Sequence, residues 1–297
     1  MRNAKPPVPP QHEHVADDDS AHLHRETAIQ RRTMVVLIAM QIVGTIGVGV
    51  APSIGVLLAG EVTDNEAWAG LARTASTLGA ALMGLPLGNL AARRGRRVAL
   101  ATGWWTAASG SALLVAAAQW SLVVPLFIGL LFIGAGSAVS LQSRFAATDL
   151  ARPHHRGRSL ALVVWVGTLG SVLGPNLGMP GKIVGTATGL TVYASAFLIA
   201  GACLALAGVL VFVLLRPDPL LTLAQRNARV LSAAAPHAPK GRIGRILGEL
   251  RTNRRARYAF IAIITAQVTM VSIMTMTPVH IAHQGGSLMV VGVLRVG

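Results

Sequence analysis

Charge is scarce in this chain. Only 12% of its 297 residues are Asp, Glu, Lys or Arg, about half the share with which a soluble domain coats its surface. Acidic residues are the scarcest, 11 against 26 Lys and Arg. A single cysteine, Cys203, excludes an internal disulfide. Aromatic residues amount to 4%, which leaves little material for stacking exposed bases. A nucleophile elbow, a phosphate loop, an HExxH helix and a CxxC pair are all missing, so an enzyme reading has no anchor and neither cofactor nor metal is expected.

Apolar length is abundant. Hydrophobic residues make up 53% of the chain, and the mean hydropathy is +0.57. A helix that crosses the hydrocarbon core needs about 20 apolar residues, each rising about 1.5 Å. Seven stretches qualify: Met34 to Gly60, Trp68 to Leu90, Val98 to Ala118, Ser121 to Leu141, Ser159 to Pro180, Leu190 to Leu215 and Tyr258 to Ile281. An eighth run, from Ser287 to Gly297, is too short to cross. Continuous runs of this length exclude the alternating strands of a membrane barrel, so the class is an all-α polytopic membrane protein.

The first 33 residues differ from the rest. Prolines at positions 6, 7, 9 and 10 bar a helix there, and the His/Asp-rich stretch that follows has little to bury, so residues 1–33 are expected to form a disordered tail. Its His12, His14, His22 and His24 lack the rigid frame a metal site needs. The first apolar run starts late and is of span length, unlike a cleavable signal peptide.

Short inner loops collect Lys and Arg. With the tail inside, the inner segments hold Arg31 and Arg32, then Arg93, Arg94, Arg96 and Arg97, then Arg152, Arg156 and Arg158, then the long loop after span six. Counting Arg144 at the foot of span four, the inner side carries 23 basic and 8 acidic residues, which is the whole formal excess of +15. That partition places the chain in the cell inner (cytoplasmic) membrane with its N-terminus cytoplasmic, and it makes the lipid bilayer the partner of the basic charge. It argues against nucleic acid, whose readers gather charge on one folded module. Within the long loop, Arg242 to Arg251 fits an amphipathic helix on anionic lipid.

Two segments carry more than topology. Gly88-Asn89-Leu90-Ala91-Ala92-Arg93-Arg94-Gly95-Arg96-Arg97 is a tight turn, with Gly95 able to take a positive φ. In span five, Gly170, Gly174 and Gly178 recur every four residues, with Pro175 beside them. Such a face lets two helices approach closely, and the Gly-Pro step favours a bend.

The first segment resembles the G-x-L-A-D-R-x-G-R-R signature between spans two and three of major facilitator superfamily (MFS) transporters. The second resembles the G-x-x-x-G-P-x-x-G signature in span five of that superfamily's drug:proton antiporters. The turn from Asp149 to Arg158 is similar as well. The resemblance implies a six-helix bundle of two inverted three-helix repeats over residues 34–215, a basic cytoplasmic linker over 216–257, and the start of a second half over 258–297, with span seven and a stub of an eighth. It implies alternating access to a small-molecule substrate, efflux of amphipathic compounds, and protons as coupling ion. Gly88, Leu90, Arg93, Gly95, Arg96 and Arg97 would latch the inner gate. Gly170, Gly174, Pro175 and Gly178 would pack against the partner half.

The pattern departs from the family at three places. Ala92 replaces the signature's aspartate, Leu130 stands where the antiporters carry an arginine in span four, and the spans hold no Asp or Glu. A cavity that is mostly apolar with a few polar points would draw on Gln41, Thr45, Ser53, Ser137, Ser140, Trp165, Asn176, Gln267 and Thr269, with Gln41 and Gln267 foremost. One half and one span would leave such a cavity short of a wall, so this chain by itself is expected not to transport. The rival reading is a non-transporting seven-span sensor or assembly partner that acts through its basic inner loop.

Overall fold

The computed structural model describes residues 11–63, 66–149, 151, 153–222, 248 and 251–283. They fall into two units, one within Met1–Val230 and one within Leu231–Gly297. Every described element is helical, as an apolar chain requires when its backbone polar groups have no water to bond.

Helix α1 runs from Gln11 to Gly49, so its backbone is helical from Gln11 onward. Extending a helix already nucleated by the apolar residues after Thr33 adds one hydrogen bond per residue fixed, so moderate helix formers follow until proline stops them. Residues 1–10 lie outside the described set. At the other end α1 passes through a π-helical turn, Ala51–Gly55, into α2, Val56–Thr63. Pro52 donates no hydrogen bond there, and Val50 O accepts from both Ile54 N at 2.9 Å and Gly55 N at 3.3 Å.

Helices α3 (Glu66–Arg94), α4 (Arg96–Trp120) and α5 (Val123–Thr148) follow as continuous rods. The next rod is broken: α6, Arg156–Leu173, gives way to a 3-10 turn at Pro175–Leu177 and then to α7, Gly178–Thr188. The bend expected at the Gly-Pro step is therefore present. Helix α8, Val192–Leu214, closes the first unit's helices, its first turn capped by Thr191 Oγ1, which accepts from Ala194 N at 3.2 Å.

Five helices among the described residues are long and apolar enough to cross a membrane: Thr27–Thr63, Leu71–Arg94, Arg96–Trp120, Val123–Thr148 and Val192–Thr222. The expected fifth span is the segmented α6–α7 rod. The expected seventh falls in α9, Arg254–His283, in the second unit. Asn253 caps α9, its Oδ1 accepting from Arg255 N at 3.1 Å. The eighth run, Ser287 to Gly297, and all but two residues of the amphipathic helix expected over Arg242 to Arg251 lie outside the described residues.

Within the first unit α4 packs on α5 and α8, α3 on α5, and α1 on α6 and α8. Small residues make these approaches possible. A Cβ on Gly134 of α5 would lie 2.5 Å from Ala80 N of α3, and one on Gly79 would overlap the Leu131 backbone. A Cβ on Gly174 would lie 2.6 Å from the Gly49 Cα of α1, and one on Gly170 would overlap the Thr45 side chain. Backbones in contact gain dispersion along their length, which is how helices associate where lipid supplies no hydrophobic drive. Trp104 fills the space between α1, α4 and α5, fully buried, with its Nε1 donating to Met40 Sδ at 3.0 Å. Trp68 and Trp120, at the ends of α3 and α4, are exposed by 40% and 69%.

Candidate substrate cavity and arginine turn

The arginine turn is held together by partners far away in sequence. Gly95 has φ 89°, so the link between α3 and α4 needs glycine. Arg96 reaches α5: its Nε donates to Asp149 Oδ2 at 2.9 Å, its Nη1 to Gln142 Oε1 at 3.1 Å. Gln142 Nε2 donates in turn to Gly84 O of α3 at 3.3 Å. The Arg96 and Asp149 side chains are only 14% and 12% exposed, so this pair is stronger than a surface ion pair. Arg97 is fixed through its backbone, whose N donates to Asp218 Oδ2 at 2.7 Å, while its guanidinium lies 4.6 Å from the centre of the Phe212 ring.

The carboxylate missing at Ala92 is thus matched by two others, Asp149 and Asp218, from outside the signature. Ala92, Arg93 and Arg94 are exposed, and Leu90 is half-buried. Gly88 faces Gln142, whose Nε2 would lie 3.3 Å from a Cβ there. Of the six signature residues, then, Gly88, Gly95, Arg96 and Arg97 meet this network directly.

The span-five glycines do not act as one face. Gly170 and Gly174 press on α1 of the same unit, whereas a Cβ on Gly178 would meet nothing within 4 Å. Pro175 opens the 3-10 turn that separates them from Gly178.

Between the α1·α6 and α3·α5 crossings lies an open cavity of about 510 Å³. Each helix lends it one stripe at spacings of three and four residues, the spacing that stacks side chains on one helix face. From α1 come Gln41, Thr45, Val48 and Gly49; from α3, Arg73, Ser76, Thr77 and Ala80; from α5, Ser137, Ser140, Leu141 and Arg144; from α6, Val164, Gly167 and Thr168. Gln41 is 96% buried from solvent by its 4% exposure, and its Oε1 accepts from Ser143 Oγ at 3.2 Å.

The structure therefore brings together Gln41, Thr45, Ser137 and Ser140, and within the first unit it leaves Trp165, Asn176 and Ser53 out of the lining. Trp165 is 62% exposed and absent from the lining, because it stands about 100° around the helix from Val164 and Thr168 reaches inward one turn on. Asn176 sits within the break, exposed, its Nδ2 donating to Val172 O at 2.7 Å. Ser53 Oγ turns back to Val50 O at 3.3 Å. Gln267 and Thr269 are exposed residues of α9 in the second unit. Arg73, Ser76, Thr77, Arg144 and Thr168 were not anticipated. Their spacing, with Arg73, Ser76 and Thr77 on one helix and Ser137, Ser140 and Arg144 on another, was the available signal.

The profile of the Major Facilitator Superfamily matches residues 33–296. The chain belongs to this superfamily. It is 35% identical over 273 residues to the uncharacterized MFS-type transporter YdeG of Bacillus subtilis (strain 168), covering 91% of the chain and 62% of that protein. It is 34% identical over 271 residues to the uncharacterized MFS-type transporter YddS of the same organism, covering 91% of the chain and 61% of that protein. The chain thus spans about three fifths of the length of these curated relatives. No solved structure matches it. Membership makes it a multi-pass membrane protein of a transport class with bacterial relatives, not an enzyme.

Proposed function

We propose that this MFS chain forms the first half of a carrier that moves a small molecule across the cytoplasmic membrane by alternating access. The observation that carries this reading is the open cavity between paired crossings. The α1·α6 contact through Gly49 and Gly174 answers to the α5·α3 contact through Gly134 and Gly79. Exchanging the first three spans with the next three maps one crossing onto the other, as inverted three-helix repeats would. On this reading residues 34–215 form the six-helix half, 216–257 the cytoplasmic linker and 258–297 the start of the second half. On the same reading the Arg96–Asp149 network latches the inner gate.

Efflux of amphipathic compounds fits a lining in which Val48, Leu141 and Val164 alternate with hydroxyls. Proton coupling, as the antiporter resemblance implies it, needs a titrating carrier outside this cavity, because its lining includes no Asp, Glu or His. Proteoliposome flux tests the proposal, with the 297-residue chain alone and with the product read through the coding sequence beyond codon 297. A panel of labelled anionic, neutral and cationic compounds is expected to show none moving with the chain alone and at least one moving with the longer product. Flux by the chain alone would overturn it by showing a carrier that needs no second half, and no flux by a folded longer product across the panel would overturn it in favour of the sensor or assembly partner.

A further inference from the structure

The cavity carries two positive charges and no negative one. Arg73 on α3 and Arg144 on α5 both line it, and no lining residue is Asp or Glu. A charge held inside a membrane bundle is costly unless it pairs or faces a polar cavity. Arg96 shows how this chain neutralises an arginine when the role is structural: a carboxylate, an amide and burial between helices. Arg144 on α5 has no ion pair or side-chain hydrogen bond among the described residues and lines the open cavity. Ser140, one turn before it on the same helix, and Ser137, two turns before it, carry hydroxyls along the same lining stripe. These groups can donate, and an arginine can donate two parallel bonds to a planar or tetrahedral oxyanion.

We propose that the cavity selects small organic anions of the carboxylate or sulfonate type, with Arg144 as the primary contact. This deepens the carrier reading and rests on it only for the ligand's being transported; binding can be read separately. The apolar members of the lining would take the remainder of such a molecule, and a cation of the same size would be repelled by Arg144.

The test uses the purified 297-residue chain in nanodiscs of zwitterionic lipid, with three radiolabelled probes of matched size: benzenesulfonate, benzyl alcohol and benzyltrimethylammonium. Permanent charges on the first and third keep the comparison free of titration. Benzenesulfonate is expected to bind at least tenfold more tightly than benzyltrimethylammonium. Arg144→Gln should cost the sulfonate at least tenfold and leave benzyl alcohol within about twofold, with Arg144→Lys losing less than Arg144→Gln. Ser137→Asp, which adds a carboxylate to the lining while keeping both arginines, should reduce or invert the preference, and it serves if Arg144→Gln fails to fold. Equal or tighter binding of the cation, binding of no probe, or a sulfonate affinity indifferent to both substitutions would overturn the proposal. Selective anion binding without flux by the longer product would leave the anion site standing and remove the carrier reading instead.

Discussion

The α3·α5 and α1·α6 crossings flank the same cavity, and both bring backbone against backbone through glycine: Gly79 and Gly134 in one, Gly49 and Gly174 in the other. Beyond the contact they diverge. Helices α3 and α5 continue unbroken past theirs, and Gln142 ties them again through Gly84 O. Helices α1 and α6 both lose regular geometry next to theirs, at the π-helical turn Ala51–Gly55 and at the 3-10 turn Pro175–Leu177. A proline sits in each break. The same small-residue contact therefore serves a stiff crossing on one side of the cavity and a crossing with nearby bends on the other, where backbone adjustments can be absorbed.

The sharpest way to break this contrast is to add one methyl group to each side. In Gly134→Ala the new carbon meets Ala80 N at 2.5 Å and the Gly79 carbonyl carbon at 2.8 Å, backbone atoms of a continuous helix. Overpacking of that kind is expected to cost roughly 3 kcal/mol. In Gly174→Ala the new carbon meets Gly49 Cα at 2.6 Å, but the adjacent turns can shift, so the expected cost is about 1 kcal/mol. SDS-titrated unfolding in mixed micelles measures both. Equal costs would mean that the breaks lend no compliance.

A smaller effect is expected from Asp149→Ala, which acts on the stiff side only. It strands the Arg96 guanidinium between α4 and α5 with Gln142 as its remaining partner. Exposures of 14% and 12% put the pair between surface and core, and the expected loss is about 2 kcal/mol in the same unfolding assay. Adding Arg96→Gln in the double variant should recover part of that loss, since no stranded charge is left. A double variant as unstable as the two single losses added together would show that the residues act independently.

The contrast was partly legible in the sequence. Span-length apolar runs marked α3, α4 and α8 to within a few residues, because lipid imposes length and leaves few alternatives to a helix, whereas α1 starts well before its run and α5 ends well after its own. The kink at Gly174-Pro175 and the positive φ at Gly95 were legible for the same local reason: only particular residues adopt them. The long-range partners were not. Asp149 lies 53 residues from Arg96, and Asp218 lies 121 residues from Arg97; nothing local marks either as the carboxylate that replaces the one missing at Ala92. The cavity was missed differently. Polar residues were weighed one at a time, which promoted Trp165 and Asn176, whereas membership is decided by helix face. Arg144 was counted as a topological charge because the span was drawn to Leu141, and α5 in fact continues to Thr148. A helix of that length carries Arg144 on the same stripe as Ser137 and Ser140.

The smallest expected effect separates the compliant side's two parts. Gly178 begins α7 with helical φ −59° and ψ −40°, and a Cβ there would meet nothing within 4 Å. Replacing a glycine that already has helical geometry lowers the entropy of the unfolded chain, so Gly178→Ala should stabilise the 297-residue chain by about 0.5 kcal/mol. Gly170 and Gly174 spend their small size on α1, while Gly178 keeps its own for a surface that α1 does not reach. If that surface is where the second half packs, the same methyl group should lower flux by the longer product several-fold while the chain's own stability rises. A loss of stability in the chain would mean the face is already occupied within the first unit. Unchanged flux would mean that only Gly170 and Gly174 need to be glycine, and that the span-five signature serves the α1·α6 crossing alone.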